Sequence, residues 1–287
     1  MKLGIIGGSG LYSMQALSAA HWRTTDTPWG RPSDALLEGE IAGHPVVFLP
    51  RHGRGHQLAP SQINYRANVA ALKTAGCSML LSVSACGSFV DALPPGHVCL
   101  VDQFVDRTHG RAKSFFGDGL VVHASLADPV SDDLLNRLET AAIAASIPHQ
   151  RGGTYLAMEG PQFSTRAESL LHKAQGMSVI GMTAMPEAAL AREAEMAYAL
   201  AAMVTDFDAW KDEAVSTASV VETMQANTKR AQALVEAVCR QLVNAPLPVP
   251  SKQGWERALD NAIVTPRASW PREGAAHLRA IAPRFFV

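Results

Sequence analysis

Residues 197–210 read AYALAAMVTDFDAW, an apolar run over Ala197–Val204 that stops abruptly at two carboxylates, Asp206 and Asp208. A short run of this kind is typical of a strand that is buried inside a sheet. In open α/β sheets, ligands bind where the strands end at their carboxyl side. Two acids at such an edge can hold a nitrogen-rich heterocycle and pass a proton to it. The stretch therefore predicts a buried strand with a ligand site at its end.

The rest of the chain alternates short apolar runs with longer helical patterns. Strands are predicted over Leu3–Ile6, Pro45–Leu49, Met79–Val83, His97–Val105, Tyr155–Met158 and Ser178–Met182, before the strand Ala197–Val204. Helices are predicted over Ser61–Ala75 (with Ser61 as its N-cap), Ser131–Ala145, Thr165–Gln175, from Pro186 to about Glu195, and Val215–Val243. This alternation predicts an α/β fold, a single domain whose central sheet is mixed but largely parallel and is flanked by helices.

The end of the chain has a different composition. Neither an internal repeat nor a linker precedes residue 244, so residues 1–244 are predicted to form the main domain. Pro246, Pro248 and Pro250 then break the long helix. Residues 245–287 are predicted to be a Pro-rich appendage that packs on the same domain, with a short helix carrying Trp255, Leu259 and Ile263 on one face.

Composition excludes several classes of function. The 287 residues carry a net charge of -1 and form no basic stripe, which argues against nucleic-acid binding. An N-terminus too short and Gly-rich for a signal peptide, and no apolar segment of membrane-spanning length, predict a cytoplasmic protein without a membrane partner. The four cysteines form no CxxC pair and are predicted to be buried and reduced. No histidine or cysteine spacing implies a metal.

Five apolar runs end in polar residues. The ends are Ser9-Gly10, Arg51-His52-Gly53, Ser84-Ala85-Cys86-Gly87, Thr183 and Thr205-Asp206. If the strands are parallel, all five ends converge on one rim of the sheet. One guanidinium and several hydroxyls beside Gly-rich backbone make an anion site that suits phosphate. Because the two aspartates would repel phosphate, they should face another part of the ligand. A phosphate pole opposite an acid pole suggests phosphorolysis.

Each of these signals also has another explanation when it is taken alone. Gly7-Gly8-Ser9-Gly10 is a possible dinucleotide loop, but Ser13 stands where the third glycine of that fingerprint belongs, which disfavours a dinucleotide-dependent oxidoreductase. Arg51-His52 alone is compatible with a surface pair, and Asp206 with Asp208 is compatible with a helix N-cap. The coincidence of five strand ends favours a site.

Nine segments carry a resemblance to the trimeric purine nucleoside phosphorylases, and among them to the enzymes that act on 5′-methylthioadenosine. The match covers about residues 3–243 in order, and its motifs are specific when taken together. The segments are residues 7–11 (GGSGL), 26–34 (DTPWGRPSD), 51–54 (RHGR), 64–68 (NYRAN), 84–88 (SACGS), 102–108 (DQFVDRT), 159–164 (EGPQFS), 181–187 (GMTAMPE) and 205–208 (TDFD).

The resemblance implies roles for individual residues and a homotrimer. It implies that phosphate, which is a co-substrate, is bound by Ser9, Arg51, His52, Ser84, Ala85 and Thr183. It implies no cofactor. It assigns the nucleoside to Met182 at the ribose, Phe163 and Ser164 at the base, and His123, Thr217, Val220 and Val221 at a 5′-pocket that a neighbouring subunit completes. It makes Asp206 and Asp208 the catalytic pair, with Asp206 protonating N7 of the leaving purine and Asp208 accepting from its exocyclic amine.

The residues at the base edge favour adenine. Relatives that cleave 6-oxopurines carry Glu at the place of Ser164 and Asn at the place of Asp206, whereas two carboxylates accept hydrogen bonds and therefore fit a 6-aminopurine. Gly181 stands where close relatives have Asn. The segment Gly181-Met182-Thr183 also occurs in relatives that prefer methylthioinosine. Ser9 and Ser84 stand where Thr is common, but both keep a hydroxyl. A methylthioinosine or general purine nucleoside phosphorylase stays open, and so does a non-catalytic nucleoside-binding protein.

Overall fold

The structure is a computed structural model that describes residues 1–8, 10–211, 217–271 and 276–286. Within those ranges, the side chains of residues 217–222 and 276 are outside the description. Ser9 also lies outside the described residues, as do the side chains of Thr217, Val220 and Val221.

Eleven strands of the described chain form one mixed sheet. They are β1 (Lys2–Gly7), β2 (Leu17–Arg23), β3 (Leu36–Ile41), β4 (His44–Pro50), β5 (Cys77–Ser88), β6 (Val98–Val101), β7 (Gln103–Asp106), β8 (His149–Arg151), β9 (Thr154–Ala157), β10 (Val179–Gly181) and β11 (Ala197–Asp206). One path runs β2-β3-β4-β1-β5-β10-β9-β7, while β11 pairs with β5 and β6, and β6 pairs with β8. The centre is parallel, because β1 pairs in parallel with β4 and β5, and β11 pairs in parallel with β5.

Five α-helices of the described residues cover the sheet: α1 (Tyr65–Thr74), α2 (Asp132–Ala144), α3 (Arg166–Ala174), α4 (Ala184–Glu193) and α5 (Thr217–Asn244). Three of these helices begin after side-chain caps that satisfy free backbone N–H groups. Asn64 accepts from the Ala67 N–H, Ser131 from the Leu134 N–H, and Thr165 forms a capping box with Glu168. The mixed, largely parallel sheet flanked by helices that the sequence predicts is therefore confirmed. None of the helices in the described ranges combines the length and the apolar character that a membrane span needs.

The structure corrects several predicted boundaries. Ser61 is not the cap of α1, because Pro60 opens a separate 3-10 turn, Pro60–Gln62, and the helix begins at Tyr65 after Asn64. The single strand predicted over His97–Val105 is two strands divided at Asp102, since β6 pairs with β11 and β8 while β7 pairs with β9. Strands β2, β3 and β8 were missed because β2 is largely exposed, β3 carries two glutamates and β8 is three polar residues.

The C-terminal residues lie against the main core. Trp255, Leu259 and Ile281 are buried in the same hydrophobic cluster as the central strands. Ile263 is only partly buried, and Trp255 begins a 3-10 turn, Trp255–Arg257, where the sequence predicts a short helix. Arg284 pairs with Glu195, which lies two residues before the start of β11, and with Asp260. Apolar packing and an ion pair thus connect the C-terminal residues to the main domain, and a second ion pair connects two of these residues to each other.

Candidate active site

A cavity of about 530 Å³ opens where β4, β5 and β11 end. The parallel pairing of β1, β4, β5 and β11 brings their carboxyl ends to one edge of the sheet, as the sequence predicts. Nine of the predicted site residues line this cavity: Arg51, His52, Ser84, Ala85, Phe163, Met182, Thr183, Asp206 and Asp208.

Thr183 reaches the cavity by a different route from the one that parallel strands predict. Strand β10 pairs antiparallel with the end of β5, with Val179 opposite Ser88 and Ile180 opposite Gly87. When this register is continued along both strands, Thr183 lies opposite Ser84, and their hydroxyl oxygens are 3.2 Å apart. The expectation that all five ends come from parallel strands is therefore wrong for β10, because β5 runs beyond its predicted end to Ser88 and β10 returns alongside that extension.

Arg51 is held in a buried ion pair. Its side chain is 2% exposed, and its Nε donates to Glu187 Oε1 at 2.5 Å. Nη2 donates to Ser82 Oγ at 2.7 Å and to the Ile6 carbonyl at 3.1 Å, and Nη1 donates to the Val83 carbonyl at 2.9 Å. Burial acts to lower the pKa of Arg51, but the charge and the hydrogen bond of Glu187, with smaller contributions from Tyr198 and Tyr65, together raise it, so the guanidinium stays charged. One N–H of Nη1 is not used by these bonds, and Arg51 also lines the cavity.

His52 presents a neutral imidazole to the same end of the cavity. Its Nδ1 lies 2.8 Å from the Leu58 carbonyl, which can only accept, so Nδ1 carries the hydrogen and Nε2 is an acceptor. Burial, and then the neighbouring Arg51 charge, lower the pKa of His52 to about 4. The ring stacks on His56 with centroids 4.2 Å apart, and His56 lines the cavity as well.

The two aspartates have different environments. Asp206 Oδ2 accepts from the Thr205 hydroxyl at 2.7 Å, and Oδ1 accepts from the Asp208 N–H at 2.7 Å. Burial raises the pKa of Asp206; these hydrogen bonds oppose the rise, while the Asp208 carboxylate adds to it. Asp208 is 5% exposed, and its Oδ2 has no hydrogen-bond partner among the described residues. A buried carboxylate oxygen without a donor is rare, which makes this atom a natural acceptor for a ligand N–H.

A glycine lets β5 approach these acids closely. A Cβ at Gly87 would lie 2.9 Å from Asp206 Oδ1 and 3.2 Å from Asp208 Cβ. Asp208 itself has φ +50°, a left-handed conformation that costs free energy in a residue with a side chain. The backbone of both segments is thus arranged around the two carboxylates.

The remaining predicted residues differ in how close they come to the cavity. Phe163 is 68% exposed at its mouth, whereas Ser164 is half-buried beside Met158, 4.0 Å from its sulfur, and does not line the cavity. His123 is exposed and also lies off the cavity wall, with its N–H bonded to the Ala262 carbonyl. Met224 on α5 lines the cavity, so this part of the long helix faces it.

Three functional positions carry no predicted role. His56 and Met224 line the cavity, and Glu187 holds Arg51. Glu187 has a visible signal, because it is an acid in the apolar segment 184–191, and all ten residues of α4 are buried. His56 has none, since its place depends on the turn that stacks it on His52.

No group of histidine, cysteine and acidic side chains within the described ranges could hold a metal ion. All four cysteines are buried and unpaired. Burial raises the pKa of Cys86 well above that of a free thiol, although the residue lines the cavity.

Comparison with known proteins places this architecture in a family. A model described as the phosphorylase superfamily matches residues 2–240, which is most of the chain. The chain belongs to the phosphorylase superfamily. The described cavity, with its cationic and acidic ends, thus lies entirely inside the segment that the family model matches.

Two relatives within this superfamily share about half of their residues with the chain. S-methyl-5′-thioadenosine phosphorylase of Rhodospirillum rubrum is 55% identical over 92% of this chain and 90% of its own length. The protein of the same name from Bradyrhizobium diazoefficiens is 52% identical over 98% of this chain and 97% of its own length.

Solved structures extend the likeness to the fold. A methylthioadenosine phosphorylase from an antarctic soil metagenomic library superposes with a TM-score of 0.91 at 43% identity, covering 97% of this chain and 98% of the other. Methylthioadenosine phosphorylase from Schistosoma mansoni in complex with adenine superposes with a TM-score of 0.86 at 35% identity, covering 92% of this chain and 99% of the other. The single α/β domain of this chain is that of these phosphorylases.

Proposed function

We propose that the chain catalyses phosphorolysis of 5′-methylthioadenosine, giving adenine and 5-methylthioribose 1-phosphate. The reaction transfers a pentosyl group from a purine to inorganic phosphate, as the names of the relatives imply for those proteins. The observation that carries the proposal is one cavity lined both by a charged guanidinium and by an aspartate whose buried carboxylate keeps an unpartnered oxygen.

The phosphate pole would be built from Arg51, His52, Ser84, Ala85 and Thr183. Arg51 is locked by Glu187 and stays charged, and the hydroxyls of Ser84 and Thr183 lie side by side at 3.2 Å. Neutral His52 offers an acceptor that suits a protonated phosphate oxygen or a sugar hydroxyl. Ser9, which is outside the described residues, would complete the pole from the loop after β1. Inorganic phosphate is then a co-substrate, and no cofactor is required.

The acid pole would hold adenine. Asp208 Oδ2 would accept the exocyclic amine, which supplies the donor that this oxygen lacks in the protein. Asp206 would act as the general acid toward N7, because its raised pKa favours the protonated form that can donate a proton. As the bond to C1′ stretches, positive charge grows on the ribose, and bound phosphate stabilises it and attacks from the opposite face.

The ribose and the 5′-substituent would lie between the two poles. Met182 lines the cavity where the ribose belongs, and Phe163 covers its mouth, with Ser164 behind it near the base. We assign the 5′-pocket to Thr217, Val220 and Val221 on α5 and to His123 of a neighbouring subunit. His123 is exposed and lies off the cavity wall of its own chain, so its role in a 5′-pocket requires an adjacent subunit, which the proposed homotrimer would supply.

Three further assignments are part of this proposal. Residues 1–244 form the catalytic domain, and residues 245–287 are its appendage, which is supported by the burial of Trp255 and Leu259 in the main core. The enzyme works in the cytoplasm, consistent with four buried thiols. Its partners are a nucleoside and phosphate, without nucleic acid or membrane.

A substrate panel tests the function. Purine release is measured from 5′-methylthioadenosine, 5′-methylthioinosine, adenosine and inosine, each with and without phosphate. We expect phosphate-dependent adenine release that favours the methylthio compound. Preference for the inosine compounds would favour the methylthioinosine alternative that Gly181-Met182-Thr183 leaves open. Nucleoside binding without turnover would indicate a binding protein.

A further inference from the structure

Tyr155 on β9 carries a hydroxyl that nothing in the proposed reaction uses. The residue is fully buried, and its hydroxyl oxygen has no hydrogen-bond partner of ordinary geometry among the described residues. Nearly all buried side-chain polar atoms find a partner, so an unpaired hydroxyl in the interior marks either a cost in free energy or a role with a ligand present. The groups around the Tyr155 hydroxyl distinguish between these two explanations.

The hydroxyl lies directly behind the phosphate pole. A Cβ at Gly181 would be 2.0 Å from Tyr155 Oη and 2.7 Å from Cζ, so the hydroxyl occupies the space that any side chain at Gly181 would need. The same Cβ would be 3.3 Å from the Ala85 carbonyl, which places the hydroxyl beside the end of β5. Burial raises the pKa of Tyr155 to about 12, although the Ser84 hydroxyl and the Thr183 backbone are near enough to act against the rise. Tyr155 is therefore a protonated donor throughout the neutral range.

The hydroxyls in front of Tyr155 need a donor when an anion binds. Ser84 Oγ is 3.1 Å from the Ala85 carbonyl and 3.2 Å from Thr183 Oγ1. Phosphate oxygens accept hydrogen bonds, so Ser84 and Thr183 must each turn their single hydroxyl hydrogen to the anion. Neither can then donate to the other, and the Ser84 oxygen is left with an acceptor site that only a third donor can fill.

We propose that Tyr155 is a positioning residue of the phosphate site, whose hydroxyl donates to Ser84 Oγ and thereby directs the hydrogens of Ser84 and Thr183 toward the bound anion. The inference rests on the proposed function, because it takes the anion to be the phosphate co-substrate. Hydrogen bonds arranged in a chain polarise one another, so the Tyr155 donor strengthens the bond from Ser84 to the anion. Gly181 is the residue that leaves room for it.

Tyr155→Phe removes only the hydroxyl. We expect the KM for phosphate to rise about tenfold, which corresponds to ~1.4 kcal/mol, while the KM for 5′-methylthioadenosine and kcat at saturating phosphate stay within about twofold. Ser78→Ala is the control, since the Ser78 hydroxyl is also buried and unpaired among the described residues, but it lies at the start of β5 and does not line the cavity. The control should leave the phosphate KM unchanged.

Coupling to Ser84 separates positioning from a general packing effect. In a Ser84→Ala background, where the acceptor is missing, Tyr155→Phe should add less than a twofold rise in phosphate KM. An unchanged phosphate KM in the single variant, or a full additive effect in the double variant, overturns the proposal. If Tyr155→Phe does not fold, Gly181→Ala provides the second route, because its Cβ must displace the hydroxyl; an unchanged phosphate KM there also overturns it.

Direct binding keeps this inference separate from the proposed function. Calorimetric titration with inorganic phosphate measures affinity without turnover, so it can be read even if the wild-type chain cleaves none of the nucleosides tested. Weaker phosphate binding by Tyr155→Phe than by the Ser78→Ala control supports the role of Tyr155. Equal binding by the two variants contradicts it, whatever reaction the enzyme catalyses.

Discussion

The two ends of the cavity satisfy their charges in opposite ways. At the phosphate pole, Arg51 is surrounded by a carboxylate, a hydroxyl and two backbone carbonyls, and is fixed before any ligand arrives. At the acid pole, Asp208 keeps a buried oxygen without a partner, and burial holds the pKa of Asp206 above its usual range. One pole is preorganised by the protein, whereas the other is completed by the purine. Breaking the Arg51 ion pair should therefore act mainly on folding, whereas changing the two acids should act mainly on chemistry and base choice.

The largest effect should come from removing the proton donor at the acid pole. Asp206→Asn keeps the shape of the side chain but cannot deliver a proton, so kcat should fall by about 10²–10⁴-fold, the usual contribution of a general acid. Steady-state turnover of 5′-methylthioadenosine measures this. Asp132→Asn, which changes an acid in the first turn of α2 instead, is the control and should retain activity. Near-normal turnover by Asp206→Asn would refute the general-acid assignment.

At the phosphate pole, the largest effect should be on stability. Glu187→Gln leaves the Arg51 guanidinium buried without a counter-charge, which typically costs about 3–5 kcal/mol of unfolding free energy. Glu236→Gln removes the partner of Arg240 from an exposed pair and should cost about 0.5 kcal/mol or less. Urea unfolding of both variants makes the comparison. Similar losses in the two would mean that the buried pair does not organise this pole.

Base choice should respond to the unpartnered oxygen. Asp208→Asn replaces one of the two carboxylate acceptors with an amide donor, so catalytic efficiency with 5′-methylthioadenosine should drop roughly 10–100-fold relative to 5′-methylthioinosine, as expected when a buried polar group loses its partner. The ratio of kcat/KM for the two nucleosides is the measurement. An unchanged ratio would show that Asp208 does not read the amine.

The smallest effect should be a pH-dependent gain in stability. The pKa of Asp206 is raised on folding above its ordinary 3.8, so the folded state binds the proton more tightly than the unfolded chain does. Its contribution to stability is therefore present at low pH and is lost as pH rises from that value through the folded pKa. Asp206→Asn should melt higher than wild type at pH 7 and lose that advantage below pH ~4, in the window that this pKa direction defines. A lower melting temperature at pH 7 would contradict the account.

The sequence predicts the parts of the fold that depend on strong local patterns. Buried strands such as β1 and β11 are short apolar runs, and their parallel pairing brings Arg51, Ser84 and Asp206 together as expected. Features set by tertiary pairing are missed: the antiparallel return of β10 that carries Thr183, and the exposed strand β2. The same limit applies to the site, because the pairing of Glu187 with Arg51 joins residues 136 positions apart.

The separation of the two poles is tested most directly by phosphate binding to the acid-pole variants. Calorimetric titration of inorganic phosphate into wild type, Asp206→Asn and Asp208→Asn measures the first pole while the second is altered. We predict dissociation constants within about twofold of wild type, together with the loss of turnover by Asp206→Asn. Loss of phosphate affinity in step with turnover would contradict a cavity with two independent poles.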